Sequence, residues 1–399
     1  MMPKKCVLVC LFNFLVAGIM GLTMRLAFIT DINFNYRNLT HAHSHTAMLG
    51  WVYLILFVLI VHYFVPEKQK LFNRLFWVTE IAVLGMMLSF PFQGYAAISI
   101  TFSTLHIFCS YYFVYLVFKH QKITSAPTRI LLKTALIFMV ISTIGVWCLG
   151  PAVGLLGQAS AFYQIAIQFF LHFQFNGWFL IAILALFFHY FNIKNHHLFK
   201  RFHFTLILAT ICTLALPVSW FAPAPFLIWI NGFGILCLLA SFILFIKMSK
   251  PYIKQQFKVV SKEVKYLYTF ALFSFALKIV FQSTSFFPEI GNLAKQNHNF
   301  VIGFIHLTML GVVTGFLFAY LMQSKLIFNA AIVKYGIYSF ILGFLGTEGI
   351  LFFQGLGFIL GVGLFPHYYE WLFVLSSFLV IGISCIFISV LPIKKEHYA

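Results

Sequence analysis

The stretch His41-Ala-His43-Ser-His45-Thr-Ala-Met-Leu-Gly50-Trp-Val-Tyr-Leu-Ile-Leu-Phe-Val-Leu-Ile60-Val decides the fold. Three imidazoles stand at the head of an apolar run that continues to Val65 without one charged residue. About 20 apolar residues are enough for a helix to cross the hydrocarbon core of a bilayer. Eleven further runs of this kind flank it, at about 6–29, 73–94, 96–118, 128–150, 161–191, 202–222, 225–248, 264–286, 298–324, 330–358 and 368–392. The expected fold is therefore all-α, a polytopic membrane protein of twelve transmembrane helices. The composition agrees. Hydrophobic residues make up 62% of the 399 and charged ones 9%, against about 25% charged in a soluble domain. A water-soluble globular protein is excluded. So is an outer-membrane barrel, which needs short alternating strands rather than long unbroken runs. The first run follows Lys4 and Lys5, but it is too long for a signal-peptide core and lacks a small-residue cleavage site, so it reads as a helix. The seven cysteines all fall in apolar runs and form no CxxC pair, which argues against a disulfide framework or a thiolate metal site.

The net charge of +18 reports topology, not nucleic-acid binding. Of the 26 Lys and Arg, all but Arg25, Arg37, Lys278 and Lys295 fall at the two termini or in the connections after even-numbered runs. By the positive-inside rule these segments are cytoplasmic. The expectation is a multi-pass protein of the cell inner (cytoplasmic) membrane with both termini in the cytoplasm. The longest hydrophilic stretch, Lys247–Lys265, reads as a cytoplasmic loop, so residues 1–399 form one membrane domain in contact with the lipid bilayer.

The opening stretch has two echoes. His45-Thr-Ala-Met-Leu-Gly50-Trp, His172-Phe-Gln-Phe-Asn-Gly177-Trp and His306-Leu-Thr-Met-Leu-Gly311-Val all read H-x4-G followed by a bulky apolar residue. They lie 127 and 134 residues apart, in runs 2, 6 and 10. Equal spacing of one motif at equivalent places points to a triplicated four-helix unit, with pseudo-equivalent units at about 1–127, 128–258 and 259–399. All three runs would enter from the outside, with their imidazoles in the outer half of the membrane.

Neutral imidazole ligates iron and copper, and an ionisable side chain inside the membrane is functional by default. The candidate metal ligands are His41, His43, His45, His172, His298 and His306. His41 and His45 share one helical face and His43 points about 160° away. His106 reaches a similar depth in run 4. His62, His120, His189, His196, His197, His203 and His397 read as boundary residues, as does His367 in an outer loop. Glu80 reads equally well as a boundary residue or as part of a proton pathway with Glu348. Lys278, Arg37 and Arg25 are cations suited to neutralising acidic groups.

The twelve runs, the threefold repeat and the histidines of runs 2, 6 and 10 resemble subunit I of the haem-copper oxidases, a superfamily that includes the nitric oxide reductases. The resemblance implies a low-spin haem b held by His306 and by His43 or His45. It assigns a copper ligand to His172. It also implies a cytochrome c or copper-protein electron donor, and further membrane subunits. It places a high-spin haem ligand two residues before His306, where Phe304 stands, and a His-His pair in run 7, where Phe202–Phe221 has none. The implied role is electron transfer, or a divergent respiratory reduction of oxygen or nitric oxide with an incomplete binuclear centre. Two other readings stand beside it. One is the haem-copper membrane proteins of nitric oxide stress. The other is a transporter that handles metal or haem, although common transporter folds use inverted rather than parallel repeats.

Overall fold

The computed structural model describes residues 3–194, 197–328 and 330–391; His196, His397, Lys394 and Lys395 lie outside them. The described residues form helices and turns, with no strand among them. Twelve helices are long and apolar enough to cross a membrane: α1 (Pro3–Leu26), α2 (Tyr36–Phe64), α3 (Gln69–Gln93), α4 (Ala97–His120), α5 (Ala126–Leu156), α6 (Ala161–Tyr190), α7 (Phe199–Ser219), α8 (Pro225–Gln256), α9 (Lys262–Thr284), α10 (His298–Gln323), α11 (Ala331–Ile359) and α12 (Tyr368–Val390). The chain is a multi-pass, all-α membrane protein. In hydrocarbon each backbone N–H and C=O must be paired inside its own segment, which leaves helices as the only way for such runs to span.

Three boundaries differ from expectation, each for a local reason. Helix α2 begins at Tyr36, because the Asn35 side chain accepts a hydrogen bond from the backbone N–H of Asn38 at 3.0 Å and caps a polar first turn. The His41–His45 cluster therefore lies inside the helix, not at its mouth. Helix α8 does not stop at the edge of its apolar run but continues through Pro251 to Gln256. Lys247, Lys250 and Lys254 follow one another at intervals of three and four, so they share one face of that helix. The long loop expected at 247–265 contracts to the connection 257–261, ended by the Ser261 cap of α9. Helix α3 begins at Gln69, which puts Glu80 near its middle.

The three motif helices share a backbone device. Each is π-helical immediately after its histidine: Thr46–Tyr53 after His45, Phe173–Phe179 after His172, and Leu307–Thr314 after His306. Well under 1% of residues in proteins are π-helical, and such segments gather at functional sites. Here they fall at one register of three helices. The histidines lie nine, eleven and eight residues from the starts of α2, α6 and α10, or about 12–17 Å along the axis. These helices are also the most enclosed of the twelve. Within their apolar windows 83%, 72% and 61% of residues are buried, against 50% or less in the other nine.

The helices group into two compact units, residues 1–113 with 318–399, and residues 114–317. In the first, α2 is the centre. Leu54 through Val61 are wholly inaccessible, and Phe57 stacks on Phe113 at 4.3 Å. Helices α11 and α12 approach closely because Gly336, Gly343 and Gly382 carry no side chain; a Cβ at Gly343 would sit 2.7 Å from the backbone N of Leu379. In the second unit α6 is the centre. It lies on α5 through Gly177, where a Cβ would sit 2.7 Å from that of Phe138, and through the stacked rings of Phe138 and Phe173.

Candidate functional site

In the first unit the α2 histidines are sorted by helical angle. His43 faces α1, where its Nδ1 lies 2.8 Å from the carbonyl oxygen of Ala17. The ring fits because the next turn of α1 carries Gly21, whose Cβ, if it had one, would lie 3.0 Å from His43 Cε1. His41 and His45 face the other way, toward Phe90 and Tyr95. The ring centroids are 4.5 Å apart for His45–Phe90 and 4.7 Å for His41–Tyr95. His45 Nδ1 lies 2.8 Å from the carbonyl of His41, one turn back.

A carbonyl oxygen only accepts, so Nδ1 of His43 and of His45 must carry the hydrogen. In a neutral ring the lone pair is then on Nε2. This is the arrangement of metal-binding histidines, in which a main-chain carbonyl fixes the tautomer and the ring angle. Nε2 of His45 lies 3.4 Å from the Tyr95 hydroxyl. Among the described residues, Nε2 of His41 is buried without a hydrogen-bond partner, and so is Nε2 of His106. The His106 ring lies edge-on to Tyr53, centroids 4.6 Å apart, with the Ser110 hydroxyl 3.4 Å from its Nδ1.

In the second unit the polarity is reversed. His172 is buried, and its Nε2 donates to the carbonyl of Thr210 on α7 at 2.7 Å. The lone pair is thus on Nδ1. Two residues on, Gln174 donates to the Ser142 hydroxyl of α5 at 3.1 Å. Lys278 of α9 is 1% exposed. Its ammonium donates to Gln282 Oε1 at 2.7 Å and stands 5.3 Å over the ring of Phe304. His306 is half-buried at the start of its π-helical segment, whereas His298, the first residue of α10, is exposed.

The chain matches no known protein-family model and no curated protein.

Among the described residues no three His, Cys, Asp or Glu side chains converge as a metal-sized group. The six candidates are thus not one cluster. His41 and His45 share a wall with Tyr95 and Phe90, His43 is held separately by α1, and His172 is tied to α7. Phe304, where the resemblance places an iron ligand, packs under a lysine. Sequence reasoning did not single out Asn13, a polar residue alone in the middle of the first run, nor Tyr95 and Thr210. Asn13 was findable, because an isolated amide in an apolar run is itself a signal. Thr210 was not, since it takes part through its main chain.

Proposed function

We propose that this chain is a haem-binding membrane protein, resembling haem-copper oxidase subunit I, in which an imidazole Nε2 of α2 ligates the iron of a haem b. The supporting observation is the carbonyl-fixed Nδ1–H of both His43 and His45, which leaves Nε2 as the donor nitrogen. The residues fit the group. A neutral nitrogen donor suits haem iron, and the glycine at position 21 leaves the His43 ring its place beside α1. Bound haem supplies a one-electron store. The protein supplies a fixed ring angle, a fixed tautomer and a water-poor surround.

The role is electron transfer, with a cytochrome c or copper protein as donor and other membrane subunits as partners, in an inner membrane with both termini cytoplasmic. Full reduction of oxygen or nitric oxide would need an open iron position and a nearby metal. Phe304 offers no ligand and His172 offers one nitrogen, which alone is a poor copper site. The protein is therefore read as non-catalytic toward oxygen. A protein that only hands on metal or haem is the second reading.

A reduced-minus-oxidised absorption spectrum of the purified chain tests the proposal. A b-type α-band is expected, abolished in His306→Ala and in either His43→Ala or His45→Ala. Carbon monoxide should leave the reduced spectrum unshifted, because an iron with two imidazoles has no free position. A colourless protein from haem-replete cells would support the second reading. A large carbon monoxide shift lost in His172→Ala would support a catalytic centre.

A further inference from the structure

A polar cluster in the first unit stands apart from the histidines. Glu80 lies eleven residues into α3 and thirteen from its end, about 16 Å from the nearer end, and is 4% exposed. Asn13 lies ten residues into α1 and is fully buried. Its amide nitrogen donates to Glu80 Oε2 at 2.9 Å and to the carbonyl of Gly50 at 3.2 Å. Gly50 sits in the π-helical segment of α2. Its missing side chain is what admits the other two helices, for a Cβ there would lie 2.9 Å from Val83 Cγ1 and 3.0 Å from Asn13 Cβ. The Asn13 oxygen, Oδ1, is buried with no hydrogen-bond partner among the described residues.

This geometry does not suit an ionised carboxylate. Among the described residues no Lys, Arg or His pairs with Glu80, and its one hydrogen bond comes from a neutral amide. An uncompensated charge in a low-dielectric interior is strongly disfavoured, so a buried acid in such a place takes a proton instead. The orphaned amide oxygen is the complementary half of the same observation. A protonated carboxyl needs an acceptor, and the two ends of an amide exchange places by a half-turn about one bond. One orientation donates N–H to the carboxylate; the other accepts the O–H of the acid.

We propose that Asn13 and Glu80 form a proton-binding site in the membrane interior, where Glu80 takes up one proton from water to become the neutral acid and gives it back as the carboxylate, with the Asn13 amide serving both states. The other titratable groups around it are Cys6 and Cys10 of α1, with Cys109 of α4 against the neighbouring Thr79; α2 presents the Gly50 carbonyl. The chain thus has a place to carry a proton whether or not it carries haem.

Infrared spectroscopy of the full-length protein in lipid vesicles tests this. At neutral pH the wild type should show the C=O stretch of a protonated carboxyl, shifted in heavy water and lost in Glu80→Gln. In Asn13→Ser the band should persist at a different frequency, because one hydrogen-bond partner has changed. That variant carries the test if Glu80→Gln does not fold. An unchanged carboxyl region in Glu80→Gln, or an unchanged band position in Asn13→Ser, overturns the proposal. So does removal of the wild-type band by sodium at constant ionic strength, which would make the site one for a metal cation.

Discussion

Helices α2 and α6 carry the same motif and build the same π-helical segment after the same residue, yet they turn their histidines into opposite chemical objects. In α2 the hydrogen of His43 and His45 is on Nδ1, held by main-chain carbonyls of α1 and of α2 itself. In α6 it is on Nε2, given to the carbonyl of Thr210. Beside the motif glycine the contrast repeats. Gly50 meets a valine methyl and the Asn13 amide that holds the Glu80 carboxyl, whereas Gly177 meets the flank of a phenylalanine. The backbone device belongs to the motif. The chemistry belongs to whichever neighbouring helix faces it.

The bulky residue after each glycine should show what the two segments share. Trp51 and Trp178 are both almost fully buried. Removing either leaves a large cavity, and Trp51→Ala and Trp178→Ala should each cost about 3–5 kcal/mol of stability in detergent unfolding. Trp51 also stacks on Phe14 at 4.8 Å, nearly parallel, which adds roughly 1 kcal/mol to its loss. If either variant unfolds like the wild type, the common packing role of the two segments is broken.

The glycines should separate the two. A Cβ at residue 177 meets that of Phe138, which is fixed to the backbone, at 2.7 Å. At residue 50 the nearest atom is a valine methyl at 2.9 Å. Gly177→Ala should cost about 2–3 kcal/mol and Gly50→Ala about 1–2, measured in the same unfolding assay. The reverse order would mean that α1 and α3 grip α2 more tightly than α5 grips α6.

The hydrogen bonds are a smaller effect. Replacing His172 by Phe keeps a planar aromatic ring, somewhat larger, but loses the bond to Thr210, a change of roughly 1 kcal/mol. In haem-free protein His43→Phe should cost the same, since it loses one carbonyl bond of similar length. A much larger loss for His172 would mark it as the structural member of the pair.

Much of this architecture was legible in the chain. Twelve apolar runs are long enough to be counted, and H-x4-G at near-equal spacing marks the three most enclosed helices. The boundaries of α2 and α8 were not legible, because hydropathy is blind to an Asn35 cap and to lysines spaced along one helical face. Nor does H-x4-G spell out a π-helical turn, which depends on what presses on the helix. The tautomers of His43, His45 and His172 were illegible for a plainer reason. Each is set by a main-chain carbonyl, and the main chain is the same at every residue. Asn13 and Glu80 lie 67 residues apart on different helices, so the pair exists only once α1 and α3 have closed on Gly50.

The central claim is that α2, and not α6, presents nitrogen to haem iron. It is tested most directly by the haem content per polypeptide of purified His43→Ala, His45→Ala and His172→Ala proteins, measured side by side with the wild type. The account predicts near-unit occupancy in the wild type and in His172→Ala, and a loss of about tenfold or more in at least one α2 variant. Full occupancy in both α2 variants, or a wild type without haem, would contradict it.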